Sequence, residues 1–254
     1  MITLWYDGSF AGLLTCIFEM YEHRLKDVSI FQKQKETNAL FGDTLDVITD
    51  ITKANRVWNG LQKRLSRQGC KNVVWNYLSE LEGFENALLA FSRYVFDATE
   101  NIETNFGNPA VLQVAQTAKK VGREKHRMEA FVRFQQLKDG LYYAAIRPDY
   151  NVLPLILPHF KSRYADQHWL IYDLQRGYGI KYDAGKETVE EVNISVSTDD
   201  ELIPNTAILA EGELYYQDMW KDYFHKTGIP ERRNMKLHLQ HVPRRYWKYL
   251  TEKL

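Results

Sequence analysis

The chain lacks most of the residue patterns that mark metal, redox or membrane function. Its two cysteines, Cys16 and Cys70, stand outside any CxxC or Cys/His spacing, so neither a zinc knuckle nor a redox pair is expected. Cys16 lies among Leu13, Leu14, Ile17 and Phe18 and reads as core. No CxxxCxxC is present to hold an iron-sulfur cluster. His225, His238 and His241 come without a carboxylate or cysteine in a zinc-like pattern, so no metal site and no cofactor are expected. No apolar run approaches the roughly 20 residues of a membrane span. Asp7 and Gly8 interrupt the place of a signal-peptide core, which predicts a cytoplasmic protein with no membrane partner.

What is present is a large apolar fraction and a segregated charge. At 44% hydrophobic and 13% aromatic, the chain has ample material for a core. Thirty-three Lys/Arg balance 33 Asp/Glu, yet the balance is not local. Residues 119–133 carry six cations against Glu124 and Glu129, and residues 226–253 carry eight against Glu231 and Glu252. The compensating acid lies in residues 183–222, where eleven Asp/Glu face Lys186 and Lys221. A neutral chain arranged this way can still present a basic surface.

Periodicity predicts an α+β fold: an N-terminal α/β unit with a helical extension, residues 1–107, then a second α+β unit with a small antiparallel sheet, residues 108–254. In the first unit, residues 2–6 form a strand, Ser9 caps a helix over residues 10–23, and residues 28–31 and 45–49 are further strands. Asp50 opens a helix expected to reach Gly69, and residues 72–81 and 84–98 are helical. Asn108-Pro109 starts the second unit with a helical region to about residue 137, with a break expected at Gly122. Residues 141–146 are a strand, residues 152–164 an apolar helix interrupted by Pro154 and Pro158, and residues 169–173 and 178–183 a hairpin around Arg176-Gly177. Residues 184–205 read as a surface loop with one weak strand. Helices over residues 212–225 and 243–253 close the chain.

Four segments carry a family resemblance: WYDGSFAGLLTCIFEMYE, KHRMEAFVRF, DYNVLPLILPHFKSRYADQHWLIYDLQRGYGIKYD and RRNMKLHLQHVPRRYWKYL. Together they resemble a bacterial family of DNA metabolism and DNA repair proteins. The second half, from about Asn108, is similar to a domain of unknown function that also occurs fused to proteins of the uracil-DNA glycosylase superfamily. The resemblance implies a DNA-related role and a radical-SAM partner akin to spore photoproduct lyase, to which any iron-sulfur chemistry would belong. It supplies no catalytic residues.

The residues themselves nominate cations. Lys119, Arg123 and Arg127 recur every four residues, and Lys119, His126 and Arg133 every seven, so they share one broad helical face. Such a face can neutralise phosphates, with Tyr142, Tyr143 and Tyr164 near enough in sequence to stack on unpaired bases. Arg232, Arg233, Arg244 and Arg245 form a second nucleic-acid-binding candidate, opposed by the reading that they pair with the acidic segment. His126, between Lys125 and Arg127, is the one catalytic candidate, as a proton acceptor, and a phosphate contact before that. His159 and His168 read as partners of buried backbone. Asp7-Gly8-Ser9 has the outline of an anion-binding loop without either glycine-rich signature, and a capped turn explains the same residues.

Three classes follow. The first is a nonenzymatic nucleic-acid-binding or adaptor protein for single-stranded or damaged DNA, working with a radical-SAM repair or modification enzyme. The second is an enzyme acting on nucleobases or nucleotides. The third is an interaction module whose basic face meets an acidic protein.

Overall fold

The computed structural model of the chain describes residues 2–33, 43–194, 207–227 and 234–253. It has an α+β fold in two compact units, Met1–Gly122 and Arg123–Leu254.

In the first unit β1 (Ile2–Tyr6) has a parallel partner on each side, β2 (Val28–Gln32) and β3 (Asp43–Asp46), in the order β2-β1-β3. Parallel strands need apolar cover, and α1 (Phe10–Glu22) brings buried Leu13, Leu14, Ile17 and Met20 to the same core as Leu4, Tyr6 and Ile30. Cys16 is buried there, as predicted, and its thiol is pushed up to about 12 by burial. α2 (Ile51–Arg64) starts at its Asp50 cap, but the helix predicted to continue to Gly69 stops short. Leu65 is extended, and Ser66 opens a new helix, α3 (Arg67–Tyr77). Glu103 accounts for the break: its carboxylate accepts from the Ser66 hydroxyl at 2.6 Å and from the Ser66 backbone N–H, while Ser66 Oγ accepts from Gly69 N–H at 3.1 Å. The new helix start is satisfied by side chains, so interrupting the ladder costs little.

α4 (Phe84–Asp97) and α5 (Pro109–Phe131) follow. Asn108 Oδ1 accepts from Ala110 N–H at 2.9 Å at the start of α5. This helix runs unbroken through Gly122, where a break was expected. Gly122 is required for packing: a Cβ there would lie 2.5 Å from a Trp75 ring carbon. The division between the units falls inside α5.

The second unit holds one sheet in the order β4 (Gln135–Gln136), β5 (Tyr142–Ile146), β6 (Trp169–Asp173), β7 (Tyr178–Asp183), β8 (Thr188–Val192). β6 and β7 are the predicted hairpin, turned at Gly177 with φ +71°, and β8 is the strand expected in the acidic segment. β5 and β6 are parallel, joined by α6 (Leu153–Arg163), so the sheet is mixed. α6 is continuous despite its prolines. Pro154 occupies the first turn, where an amide has no partner to lose, and Pro158 is exposed within the helix. β6 is buried at all five positions. α7 (Glu213–Thr227) and α8 (Met235–His241) come next, and the predicted terminal helix is two 3-10 turns, Arg244–Tyr249 and Thr251–Lys253, with Tyr246, Leu250 and Thr251 buried. No helix among the described residues is long and apolar enough to cross a membrane.

Candidate functional site

Neighbouring carboxylates sort the nominated cations. Glu124 on α5 is 1% exposed; its Oε1 accepts from the Asp149 backbone N–H at 3.0 Å and from the Tyr246 hydroxyl at 2.5 Å. Arg127 reaches its Oε2 at 3.4 Å, and Arg245 binds Asp149 at 2.5 Å and the Tyr246 hydroxyl at 2.7 Å. Burial, and then the Glu124 charge, push the Asp149 carboxyl above its ordinary range. Arg133 is held by Glu252 through two bonds, Nε at 3.2 Å and an Nη at 2.8 Å. Burial opposes ionisation of Glu252, but the bonds from Arg133 and Trp220 outweigh it and hold the carboxyl below its usual value. Arg127, Arg133 and Arg245 therefore close internal pairs, whereas Lys119, Arg123 and His126 are exposed with no ion pair among the described residues. Arg244 is exposed, its guanidinium 5.8 Å from the Trp247 ring centre. Arg232 and Arg233 lie outside the described residues.

The second unit also contains an open cleft of about 910 Å³. One wall is α6, where the helical repeat sets His159 beside Arg163 and Phe160 beside Tyr164. The end of α5 contributes Glu129 and Ala130, the residues after it Arg133 and Phe134, and α7 contributes Tyr216, Gln217 and Trp220. Phe134 meets Phe160 and Tyr164 edge-on at 5.7 and 5.3 Å, and Phe160 and Tyr164 are nearly parallel at 6.1 Å. Buried Trp169 backs this cluster at 6.2 Å from Phe134. Trp220 is oriented by Glu252, whose carboxylate accepts its indole N–H at 2.9 Å, and by the Arg133 guanidinium 5.6 Å from its ring centre. Glu213 ties the start of α7 to β4, accepting from Gln136 N–H at 3.1 Å. The exposed Arg163 lies over Tyr164 at 5.8 Å, giving the mouth a cation beside a ring. Ring faces and edges, amides and the Arg163 guanidinium, with Glu129 and Glu213 also in the lining, suit a planar, hydrogen-bonding ligand, and the cleft's one unpaired cation among the described residues lies at the mouth.

Two other predicted features are resolved, the first as the capped turn the sequence favoured and the second not as expected. At Asp7-Gly8-Ser9 the amides are used internally: Ser9 N–H and hydroxyl go to Asp7 Oδ1 at 2.9 and 2.7 Å, Gly12 N–H goes to Ser9 Oγ at 2.9 Å, and Thr49 binds Asp7 Oδ2 at 2.8 Å. The loop is a capped turn. His159, read as a partner of buried backbone, instead lies edge-on to Phe160 at 5.0 Å and lines the cleft.

A family model described as a domain of unknown function, DUF4130, matches residues 82–252. The chain belongs to the DUF4130 family. The match begins upstream of Asn108 and takes in α4, α5 and every residue named above in the cleft. Searches of curated proteins and of solved structures found no significant match. Within the DUF4130 span, the sequence pointed to Tyr142, Tyr164 and Arg133 but missed Phe134, Arg163, Trp220 and Glu252. The spacing Phe160/Tyr164 with His159/Arg163 was the available signal, and the two prolines masked it.

Proposed function

We propose that the second unit binds nucleic acid carrying unpaired bases, with the aromatic cleft receiving a base and Arg163 holding the adjacent backbone phosphate. The observation that carries this reading is the cleft lined by half-buried Phe134 and Tyr164 and exposed Trp220, backed by buried Phe160, beside a guanidinium that no carboxylate occupies among the described residues. Every base has a π-face, so such a platform accepts a strand with little sequence preference. Arg123, His126 and Lys119 add exposed positive charge along α5. The family resemblance to DNA metabolism and repair proteins supports the same role, with the chain presenting DNA to a radical-SAM partner that supplies the chemistry.

Fluorescence anisotropy with a single-stranded oligonucleotide tests the reading. Binding is expected at low salt, and Tyr164→Ala with Arg163→Gln is expected to weaken it by about tenfold or more, since one stacked base contributes about 1–3 kcal/mol. Absence of single-strand binding by the wild-type chain, or unchanged affinity in the double variant, overturns it.

A further inference from the structure

From Ile51 onward the first unit contains a stretch with no acid at all: residues 51–79 hold six Lys/Arg and not one Asp or Glu. The structure turns most of that charge outward. On α2 and the start of α3, Arg56, Asn59, Gln62, Lys63, Arg67 and Lys71 are exposed, and no ion pair engages the four cations among the described residues. The nearby acids are already occupied: Glu19 and Glu22 take Lys53 at 2.7 and 2.8 Å, and Glu103 is bonded to Ser66.

We propose that this α2–α3 face docks on the phosphate backbone of double-helical DNA, a second surface chemically distinct from the aromatic cleft and independent of it. The composition of the face selects this partner. A membrane-lying helix would set large apolar residues opposite its cations, yet only Ile51, in the first turn, is a large exposed apolar residue on α2 or α3 among the described residues. A protein interface would be centred on aromatic anchors, and a single-strand site would need exposed rings; the rings at this face, Phe18 at 5.0 Å from Arg56 and Trp75 at 4.1 Å from Lys71, are half-buried and each is already covered by a cation. Arginine, lysine, asparagine and glutamine side chains on helical surfaces are the groups that contact duplex phosphates and groove edges. The wide major groove of B-form DNA admits a helix, whereas the deep, narrow groove of duplex RNA does not.

The test is anisotropy of the full chain with a duplex DNA oligonucleotide, a duplex RNA of the same sequence, and polyglutamate as competitor. Wild type is expected to bind duplex DNA at ~50 mM salt, and the triple variant Arg56→Gln, Lys63→Gln, Arg67→Gln to bind about tenfold or more weakly, with the slope of log affinity against log salt reduced by about 2 to 3. All three side chains are exposed, so melting temperature should be unchanged, and a shift in it redirects the measurement to the single variants Arg56→Gln and Lys63→Gln, each expected to lower the slope by about 1. Tyr164→Ala should bind duplex DNA as wild type does, which separates failure here from failure at the cleft. No duplex binding, an unaltered salt slope in the variants, or a preference for duplex RNA or polyglutamate overturns the proposal.

Discussion

The carboxylate of Glu124 accepts the hydroxyl of Tyr246 at 2.5 Å, joining residues 122 positions apart in the chain. Both side chains are buried, and the phenol is in turn met by Arg245. Burial and then the Glu124 hydrogen bond push the Tyr246 hydroxyl well above its ordinary value, so it stays a donor at any physiological pH.

Tyr246→Phe should therefore remove one of the bonds that satisfy a buried carboxylate without opening a cavity. We expect a loss of about 1–3 kcal/mol, seen as a lower urea midpoint with unchanged slope. An unchanged midpoint would show that water or Arg245 takes over the bond.

Pairing separates the α5 cations into two kinds. Arg133→Met should cost about 3 kcal/mol, because it strips a buried carboxylate of its charge partner, and Arg123→Gln should leave stability within about 0.5 kcal/mol. Only the second should lower nucleic-acid affinity at unchanged melting temperature. Equal melting temperatures for the two variants would contradict the pairing.

Glu252 gives a pH dependence with a definite sign. Its folded carboxyl titrates below the ordinary value of 4.5, so its contribution to stability is complete above that pH and is lost as pH falls through the depressed folded value. Glu252→Gln should be clearly less stable than wild type at pH 7, and the difference should shrink towards pH 3. Parallel curves from pH 7 to pH 3 would refute this.

The β6–β7 turn depends on backbone conformation alone. At Gly177, φ is +71° and no heavy atom lies within 4 Å of a built Cβ, so a side chain meets strain but no clash. Gly177→Val should destabilise by about 1–3 kcal/mol and Gly177→Asn by much less, since asparagine tolerates this region. Equal melting temperatures for the two variants would exclude backbone strain as the cause.

Local signals in the sequence were legible where the structure satisfies them locally. Ser9, Asp50 and Asn108 cap the helices that their positions predict, because each bonds an amide two or three residues ahead. The break at Ser66 was illegible, since the carboxylate that permits it comes from Glu103. The parallel pairing of β5 and β6 was hidden for a related reason: a short apolar run such as Tyr142–Ile146 does not disclose its partner. The cleft draws its rings from the residues after α5, from β5, from α6 and its C-cap, and from α7, and each ring, taken alone, has the spacing of ordinary core. The cations were visible, but not which of them Glu124 and Glu252 would engage.

Among the described residues β8 forms one edge of the five-stranded sheet, and its solvent-facing residues include Glu190 and Glu191, both exposed. A sheet edge presents unpaired amides and carbonyls that another copy can extend, and adjacent like charges on that edge repel an identical strand. Part of the acidic segment thus guards against edge-to-edge polymerisation. Removing the two carboxylates, as in Glu190→Val with Glu191→Val, would leave a β-branched, uncharged edge beside Val189 and convert a protected margin into a template for aggregation.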